Sequence, residues 1–141
     1  MLTTVEKVIF LQDIDILSFT STEDLARIAA VTDEIKLEPD QILFKESDIS
    51  DALYIVIEGK VRLEKEEQLV MLASVKDAFG TWALFDSEPR VVTATAAESS
   101  RLLRIDREDF IDLLADHVQI TQSILKTMVT KLRGLMARTR T

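Results

Sequence analysis

The sequence lacks cysteine, and only three glycines and two prolines occur among its 141 residues. Without cysteine it can form neither a disulfide bond nor a thiolate metal site, and the composition fits a reducing cytoplasm. No stretch approaches the roughly 18 consecutive apolar residues that a membrane-spanning helix needs. The N-terminus also has no apolar run of signal-peptide length. We therefore expect a cytoplasmic protein that does not insert into a membrane.

Residues that could perform catalysis are scarce as well. His117 is the only histidine, and it follows Asp116 in a helical stretch, which is typical of a helix surface residue. No nucleophile–base pair and no glycine-rich nucleoside-triphosphate loop is visible. We interpret the acidic pair Asp48 and Asp51 as loop caps rather than as paired catalytic carboxylates. The sequence thus predicts no enzymatic activity, no cofactor and no metal.

Negative charge is confined to the first 116 residues. The net charge is −8, and no acidic residue follows Asp116, whereas five basic residues do: Lys126, Lys131, Arg133, Arg138 and Arg140. An acidic body argues against a broad nucleic-acid surface. For the basic end, we favour complementation of a helix dipole over contact with nucleic acid or an acidic partner.

The hydrophobic pattern divides the chain into three parts. Residues 1–33 contain two short segments with helical spacing, residues 34–105 alternate as short strands, and residues 106–141 return to helical spacing. This order predicts one α+β domain with a small barrel or sandwich of strands between helices. The turn signal Glu58-Gly59 predicts a hairpin between the strands on either side of it.

The segment 79–96 carries the most specific chemical signal, with the sequence FGTWALFDSEPRVVTATA. Gly80 lets the backbone approach a ligand closely, and it precedes a predicted short helix whose free N–H groups attract an anion. Arg90 can direct its guanidinium group to the same anion. Alone, these features are a weak signal, because many arginines simply pair with a neighbouring acid such as Glu88.

Taken together, this segment resembles the phosphate-binding cassette of cyclic-nucleotide-binding domains. That cassette has Phe-Gly-Glu, an aliphatic residue, Ala-Leu, a spacer and Pro-Arg, and here Phe79-Gly80, Ala83-Leu84 and Pro89-Arg90 match at the same spacing. The resemblance covers nearly the whole chain, including the hairpin region 44–59 and the strand and helix at 102–110. It implies a small antiparallel β-barrel of the jelly-roll type, also called a double-stranded β-helix, and a regulatory domain that binds a cyclic nucleotide.

The resemblance also implies the ligand-binding residues, which are Gly80, Thr81, Trp82, Ala83, Arg90 and Val91. Arg90 would hold the cyclic phosphate, and the backbone amides of Trp82 and Ala83 would complete its cradle. Val91 stands where members that prefer cGMP place Thr or Ser. The expected ligand is therefore cAMP rather than cGMP.

Thr81 is the main departure from the family pattern, which has Glu at this position to accept a hydrogen bond from the ribose 2′-hydroxyl. Losing a hydrogen bond to a charged group costs about 1.5–3 kcal/mol, or a roughly tenfold to 150-fold loss of affinity. We favour a helix N-cap as the role of Thr81. Trp82 replaces an aliphatic residue, while Ser47, Ser50 and Lys76 replace glycines. The pocket would then bind cAMP weakly, bind another anion or stay empty.

Two functions stay open from the sequence. The first is a sensor in which the C-terminal helix relays binding of the nucleotide. The second is a ligand-free interaction module that forms a homodimer through the helix, because Leu125, Met128, Leu132 and Leu135 follow a three-four spacing. No helix-turn-helix follows that helix, so we expect no direct nucleic-acid binding. An effector domain linked covalently outside these residues is expected in either case.

Overall fold

The structure is a computed structural model that describes residues 1–139. Its α-helices are α1 (Thr4–Leu11), α2 (Thr22–Ala29), α3 (Arg107–Asp116) and α4 (Val118–Thr139), with 3-10 helices at Asp15–Leu17 and Thr81–Leu84. Its strands are β1 (Thr32–Leu37), β2 (Ile42–Phe44), β3 (Ala52–Glu58), β4 (Val61–Lys65), β5 (Gln68–Ala73), β6 (Ala78–Phe79), β7 (Thr93–Ala96) and β8 (Ser100–Asp106). No helix within residues 1–139 is both long enough and apolar enough to cross a bilayer. Arg140 lies outside the described residues.

The eight strands form two four-stranded antiparallel sheets. One has the order β1-β8-β3-β6, and the other has the order β2-β7-β4-β5. Strand β3 is buried along its length from Ala52 to Ile57. Strand β4 instead alternates between buried and partly exposed positions, which is typical of a strand with one face on the core. These features confirm the predicted α+β class and the antiparallel jelly-roll architecture.

The chain falls into two compact units. One contains Met1 and residues 31–111, which carry the eight strands and the first half of α3. The other contains residues 2–30 and the chain from Asp112 onwards, and therefore α1, α2 and α4. The division of residues 1–141 into one domain with N-terminal helices, barrel and C-terminal helices stays a prediction.

The predicted hairpin at Glu58-Gly59 is wrong. Strand β3 pairs with β6 and β8, whereas β4 pairs with β5 and β7, so the turn at Gly59 carries the chain from one sheet to the other. The hairpin is instead β4–β5, and its turn residues Glu66 and Glu67 have φ angles of 52° and 68°. Positive φ at both central residues is usually supplied by Asn-Gly or Asp-Gly. The turn residues here are two glutamates, so the sequence gave no signal for this hairpin.

Side-chain caps begin helices α2 and α3. The Ser21 hydroxyl accepts a hydrogen bond from the Asp24 N–H at 3.2 Å before α2. The Asp106 carboxylate accepts from the Glu108 N–H at 2.9 Å before α3. Each cap satisfies an N–H group that has no partner inside its helix, which explains why the helices begin where they do.

In the second unit, one face of α4 is buried through Ile120, Ile124 and Thr127. The helix contacts the 3-10 helix at Asp15–Leu17, and the Lys131 ammonium lies 3.0 Å from a carboxylate oxygen of Asp15. The packed face of this helix is thus separate from its exposed apolar residues.

Two residues that replace family glycines adopt the backbone conformation that glycine favours. Ser47 has a φ of 73° and Lys76 a φ of 78°, whereas Ser50 is not among the residues with positive φ. A side chain in the left-handed region costs about 1–2 kcal/mol, because its Cβ crowds the following carbonyl oxygen. Replacing glycine at these two positions therefore strains the backbone locally.

We predict that Ser47→Gly raises the free energy of unfolding by about 0.5–1 kcal/mol, because the relieved strain exceeds the extra chain entropy of glycine. Urea unfolding followed by circular dichroism measures the change. Ser47→Ala is the matched control, since alanine keeps the Cβ and should bring no gain. Equal stability of Ser47→Gly and the wild type would contradict the prediction.

Candidate functional site

Arg90 is a buried cation whose charge is only partly compensated. Its side chain is 4% exposed, and its Nη2 lies 3.8 Å from a carboxylate oxygen of Asp51. The same nitrogen donates a hydrogen bond to the Ala52 carbonyl oxygen at 2.8 Å. The Nε atom is buried and has no hydrogen-bond partner among residues 1–139. A buried polar group without a partner is costly, so this nitrogen lowers the stability of the folded chain.

The backbone of the loop before β3 holds Arg90 in position. The Arg90 N–H donates to the Asp48 carbonyl oxygen and the Ser47 N–H donates to the Arg90 carbonyl oxygen, both at 2.8 Å. The Asp48 carboxylate in turn accepts from the Lys45 N–H at 2.8 Å, as expected for a loop cap. Backbone hydrogen bonds from a segment far away in the sequence thereby fix the position of Arg90.

An aromatic cluster forms one side of the guanidinium site. The Arg90 Cζ lies 4.1 Å from the centroid of the Phe44 ring. Phe44, Tyr54 and Phe79 pack together with ring centroids 5.6, 6.0 and 6.1 Å apart. A planar guanidinium group packs well on an aromatic face, because the ring quadrupole attracts the cation.

Asp51 has a different role from the loop cap that the sequence suggested. Its two carboxylate oxygens lie 3.8 Å from an Arg90 nitrogen and 3.5 Å from an Arg104 nitrogen. Burial lowers the pKa of Arg90, against the opposing effects of Tyr54 and Asp51. The ordinary pKa of arginine is so high that the side chain stays charged.

Gly80 leaves the space that the Arg90 side chain occupies. Its φ is 79°, and a Cβ at this position would lie 2.6 Å from Arg90 Nη1 and 3.0 Å from the Ala52 carbonyl oxygen. Gly80 also precedes the 3-10 helix as its N-cap, without a side-chain cap hydrogen bond. The interpretation of Thr81 as the N-cap is therefore wrong, because the chain enters the helix one residue earlier through glycine.

A cavity of about 260 Å³ opens beside Arg90. Five of the six predicted site residues line it: Gly80, Trp82, Ala83, Arg90 and Val91. Thr81 does not line it. The wall also includes residues that were not predicted for the site, among them Phe44, Ser50, Leu63 and Val92. Three of these come from other strands or loops, so segment 79–96 alone could not reveal them.

The expected amide cradle is only partly available. The Ala83 N–H donates to the Gly80 carbonyl oxygen at 3.0 Å and so belongs to the 3-10 helix. The Trp82 side chain is 64% exposed, which is a large exposed fraction for an aromatic ring beside a cavity. The predicted residues thus come together around one guanidinium group rather than around a row of free amides.

Known proteins resemble this chain in sequence and in fold. Residues 34–117 match the family model described as the cyclic nucleotide-binding domain. The chain belongs to this family. It is 30% identical over 114 residues to the CRP-like cAMP-activated global transcriptional regulator of Mycobacterium tuberculosis, and the match covers 75% of this chain and 51% of the regulator. The chain thus spans about half the length of this relative.

Two solved structures are similar to this fold. The N-terminal domain of a transcriptional regulator from Streptomyces coelicolor has a TM-score of 0.84 and 27% identity, covering 89% of this chain and 94% of that chain. A substituted regulatory subunit of a cAMP-independent protein kinase A from Trypanosoma brucei, bound to cAMP in its A site, has a TM-score of 0.72 and 26% identity. That match covers 78% of this chain and 41% of that chain.

We predict that Gly80→Ala lowers the free energy of unfolding by about 1–3 kcal/mol, because the new Cβ is strained at positive φ and displaces the Arg90 guanidinium. Gly134→Ala is the matched control. Gly134 lies within α4, and a Cβ added there would have no neighbouring atom within 4 Å, so this variant should raise stability by about 1 kcal/mol. Chemical denaturation measures both, and equal effects of the two variants would refute the role of Gly80.

Proposed function

We propose that this chain is a non-enzymatic regulatory domain that binds a cyclic nucleotide, cAMP rather than cGMP, and relays binding through its C-terminal helix. The observation that carries the proposal is the buried Arg90 guanidinium, whose charge is only partly compensated and which lies at the wall of a cavity of about 260 Å³. Both the family and this site favour a ligand with an anionic group.

The chemistry of the cavity supports a cyclic phosphate. A cyclic phosphodiester carries one negative charge, which one arginine can neutralise with charge-assisted hydrogen bonds. Apolar wall residues such as Leu63 and Val92 suit the remainder of a nucleoside. In addition, the name of the Mycobacterium tuberculosis relative describes that protein as cAMP-activated.

The side chain after Arg90 favours cAMP over cGMP. Val91 lines the cavity, and its side chain has no hydroxyl group to hydrogen-bond a guanine base. The response would pass to an effector domain outside these residues, since the chain spans about half of its transcription-regulator relative. The proposed location of the protein is the cytoplasm.

The first test is isothermal titration calorimetry with cAMP and cGMP. We expect saturable cAMP binding that Arg90→Ala weakens more than about tenfold, because the charge-assisted hydrogen bonds to the phosphate are lost. Arg101→Ala is the matched control, since Arg101 is paired with Glu34 and Glu58 and does not line the cavity. Unchanged binding by Arg90→Ala, or no heat from folded wild type, would contradict the proposal.

Fluorescence provides an independent measurement of the same event. Trp82 is the only tryptophan in the chain and lines the cavity. Binding should therefore change its emission in wild type and in Arg101→Ala. Hydrogen exchange of the α4 amides with and without cAMP tests the relay, because a helix that responds to the ligand must have a different opening free energy in the two states.

A ligand-free dimerisation module is the second candidate, and the exposed face of α4 favours it. Leu125, Val129, Leu132 and Met136 are spaced by four, three and four residues, and each is between 48% and 58% exposed. This spacing is that of a coiled-coil seam about two heptads long. Of the predicted set of Leu125, Met128, Leu132 and Leu135, Leu135 is also 57% exposed, whereas Met128 is less exposed.

If this seam forms a homodimer, Leu132→Glu should shift the protein to the monomer, because it places two like charges in an apolar interface. Sedimentation velocity over a range of concentrations measures the effect. Thr130→Glu is the matched control, since it adds the same charge to the exposed surface of α4 away from the seam. A wild type that is monomeric at every concentration would exclude this candidate.

A further inference from the structure

Among the strands of residues 1–139, β5 is the only long sheet edge without charged residues. Each sheet has two edge strands, which are β1 and β6 in one sheet and β2 and β5 in the other. Strand β6 has two residues and β2 has three, whereas β1 carries Asp33, Glu34 and Lys36. Short length and charge are the usual protections of an edge against pairing with another chain. Strand β5, with the sequence QLVMLA, has neither protection.

Both faces of β5 expose apolar side chains. Successive side chains of a strand point to opposite faces, so Leu69 and Met71 share one face while Val70 and Leu72 share the other. These side chains are 59%, 36%, 61% and 41% exposed, respectively. Within the two sheets of the described chain, β5 pairs with β4 alone, and every second residue therefore directs its backbone N–H and C=O groups to the free edge. The edge thus offers hydrogen-bonding groups and apolar surface to a further strand.

The ends of β5 carry opposite charges, which makes the strand complementary to a copy of itself. Glu66 and Glu67 precede the strand, and Lys76 follows it. When two such strands lie antiparallel with Met71 opposite Met71, Glu66 of each copy lies opposite Lys76 of the other. Opposite charges across a strand pair are favourable. A parallel arrangement would instead place the glutamates of the two copies side by side, and like charges in that position are unfavourable.

We propose that β5 is an interface between two copies of this chain, which pair their β5 strands antiparallel about Met71 and join two four-stranded sheets into one. The net charge of −8 repels a second copy, but residues 68–75 contain no charge, and salt screens the more distant groups. No residue of β5 lines the cavity beside Arg90, so this inference goes beyond the proposed function and does not rest on it. The interface also differs from the seam on α4.

Because the chain has no cysteine, a single introduced cysteine reports the pairing directly. Met71→Cys should form a disulfide-linked dimer under mild oxidation, since the Cα atoms of opposed residues in antiparallel strands lie about 4.5–5.5 Å apart, within the range of a disulfide. Leu69→Cys is the matched control on the same strand, because its two copies would lie about 13 Å apart along the strand direction. Non-reducing electrophoresis measures the fraction of linked dimer.

Sedimentation velocity separates this interface from the seam on α4. Wild type should dimerise as its concentration rises, and Val70→Lys should raise the dimer dissociation constant by about tenfold or more, because a charged edge resists pairing. Ile49→Lys is the matched control, since Ile49 is 82% exposed and lies between β2 and β3, outside the edge. Leu132→Glu should leave this dimer intact. Circular dichroism establishes that each variant is folded.

Three outcomes would overturn the inference. The first is a wild type that stays monomeric at every concentration. The second is a dimer that Leu132→Glu dissociates and Val70→Lys leaves unchanged, because that dimer would use α4. The third is equal cross-linking of Met71→Cys and Leu69→Cys, which excludes pairing about Met71. None of these measurements requires a nucleotide, so failure of the inference is distinguishable from failure of the proposed function.

Discussion

The burial of one guanidinium group is the constraint on which the site depends. Removing the Arg90 charge from water costs several kcal/mol unless partners replace the solvent. The Ala52 carbonyl oxygen and the Phe44 ring supply part of this compensation, while Asp51 remains 3.8 Å away. The fold therefore retains an unfavourable charge that an anionic ligand would compensate. By mass action, such a ligand would also stabilise the folded chain, since it binds only where these groups meet.

The same constraint explains the backbone around the cavity. Gly80 must lack a Cβ because the Arg90 side chain occupies that space. Ser47 turns through a left-handed conformation, and its N–H meets the Arg90 carbonyl oxygen. Strain at Ser47 and the buried charge at Arg90 both lower stability, so the apolar core around β3 must offset them. Sites that bind ligands commonly retain such local costs, because the groups that bind are held ready in advance.

Local sequence signals predicted where the strands lie better than which strands pair with each other. A continuous apolar, β-branched run identified β3 and alternation identified β4, but neither pattern could show that the two strands belong to different sheets, because the pattern along a strand does not specify its partner. The two-residue β6 was too short to produce a pattern. At the site, segment 79–96 identified Arg90 and Gly80, whereas Phe44 and Leu63 reach the cavity through tertiary pairing. The role of Thr81 was misjudged because both Gly and Thr are acceptable before a helix.

The cavity beside Arg90 and the α4 seam involve different residues, so the two candidate functions are not exclusive. Positive charge on α4 would oppose pairing of two copies, yet part of it is compensated within its own unit. Lys131 pairs with Asp15, and the Lys126 ammonium lies 4.7 Å from the centroid of the Phe19 ring. The apolar seam can therefore drive association against a reduced repulsion. Anion binding and self-association would be coupled only if the monomer and the dimer bind the anion with different affinities.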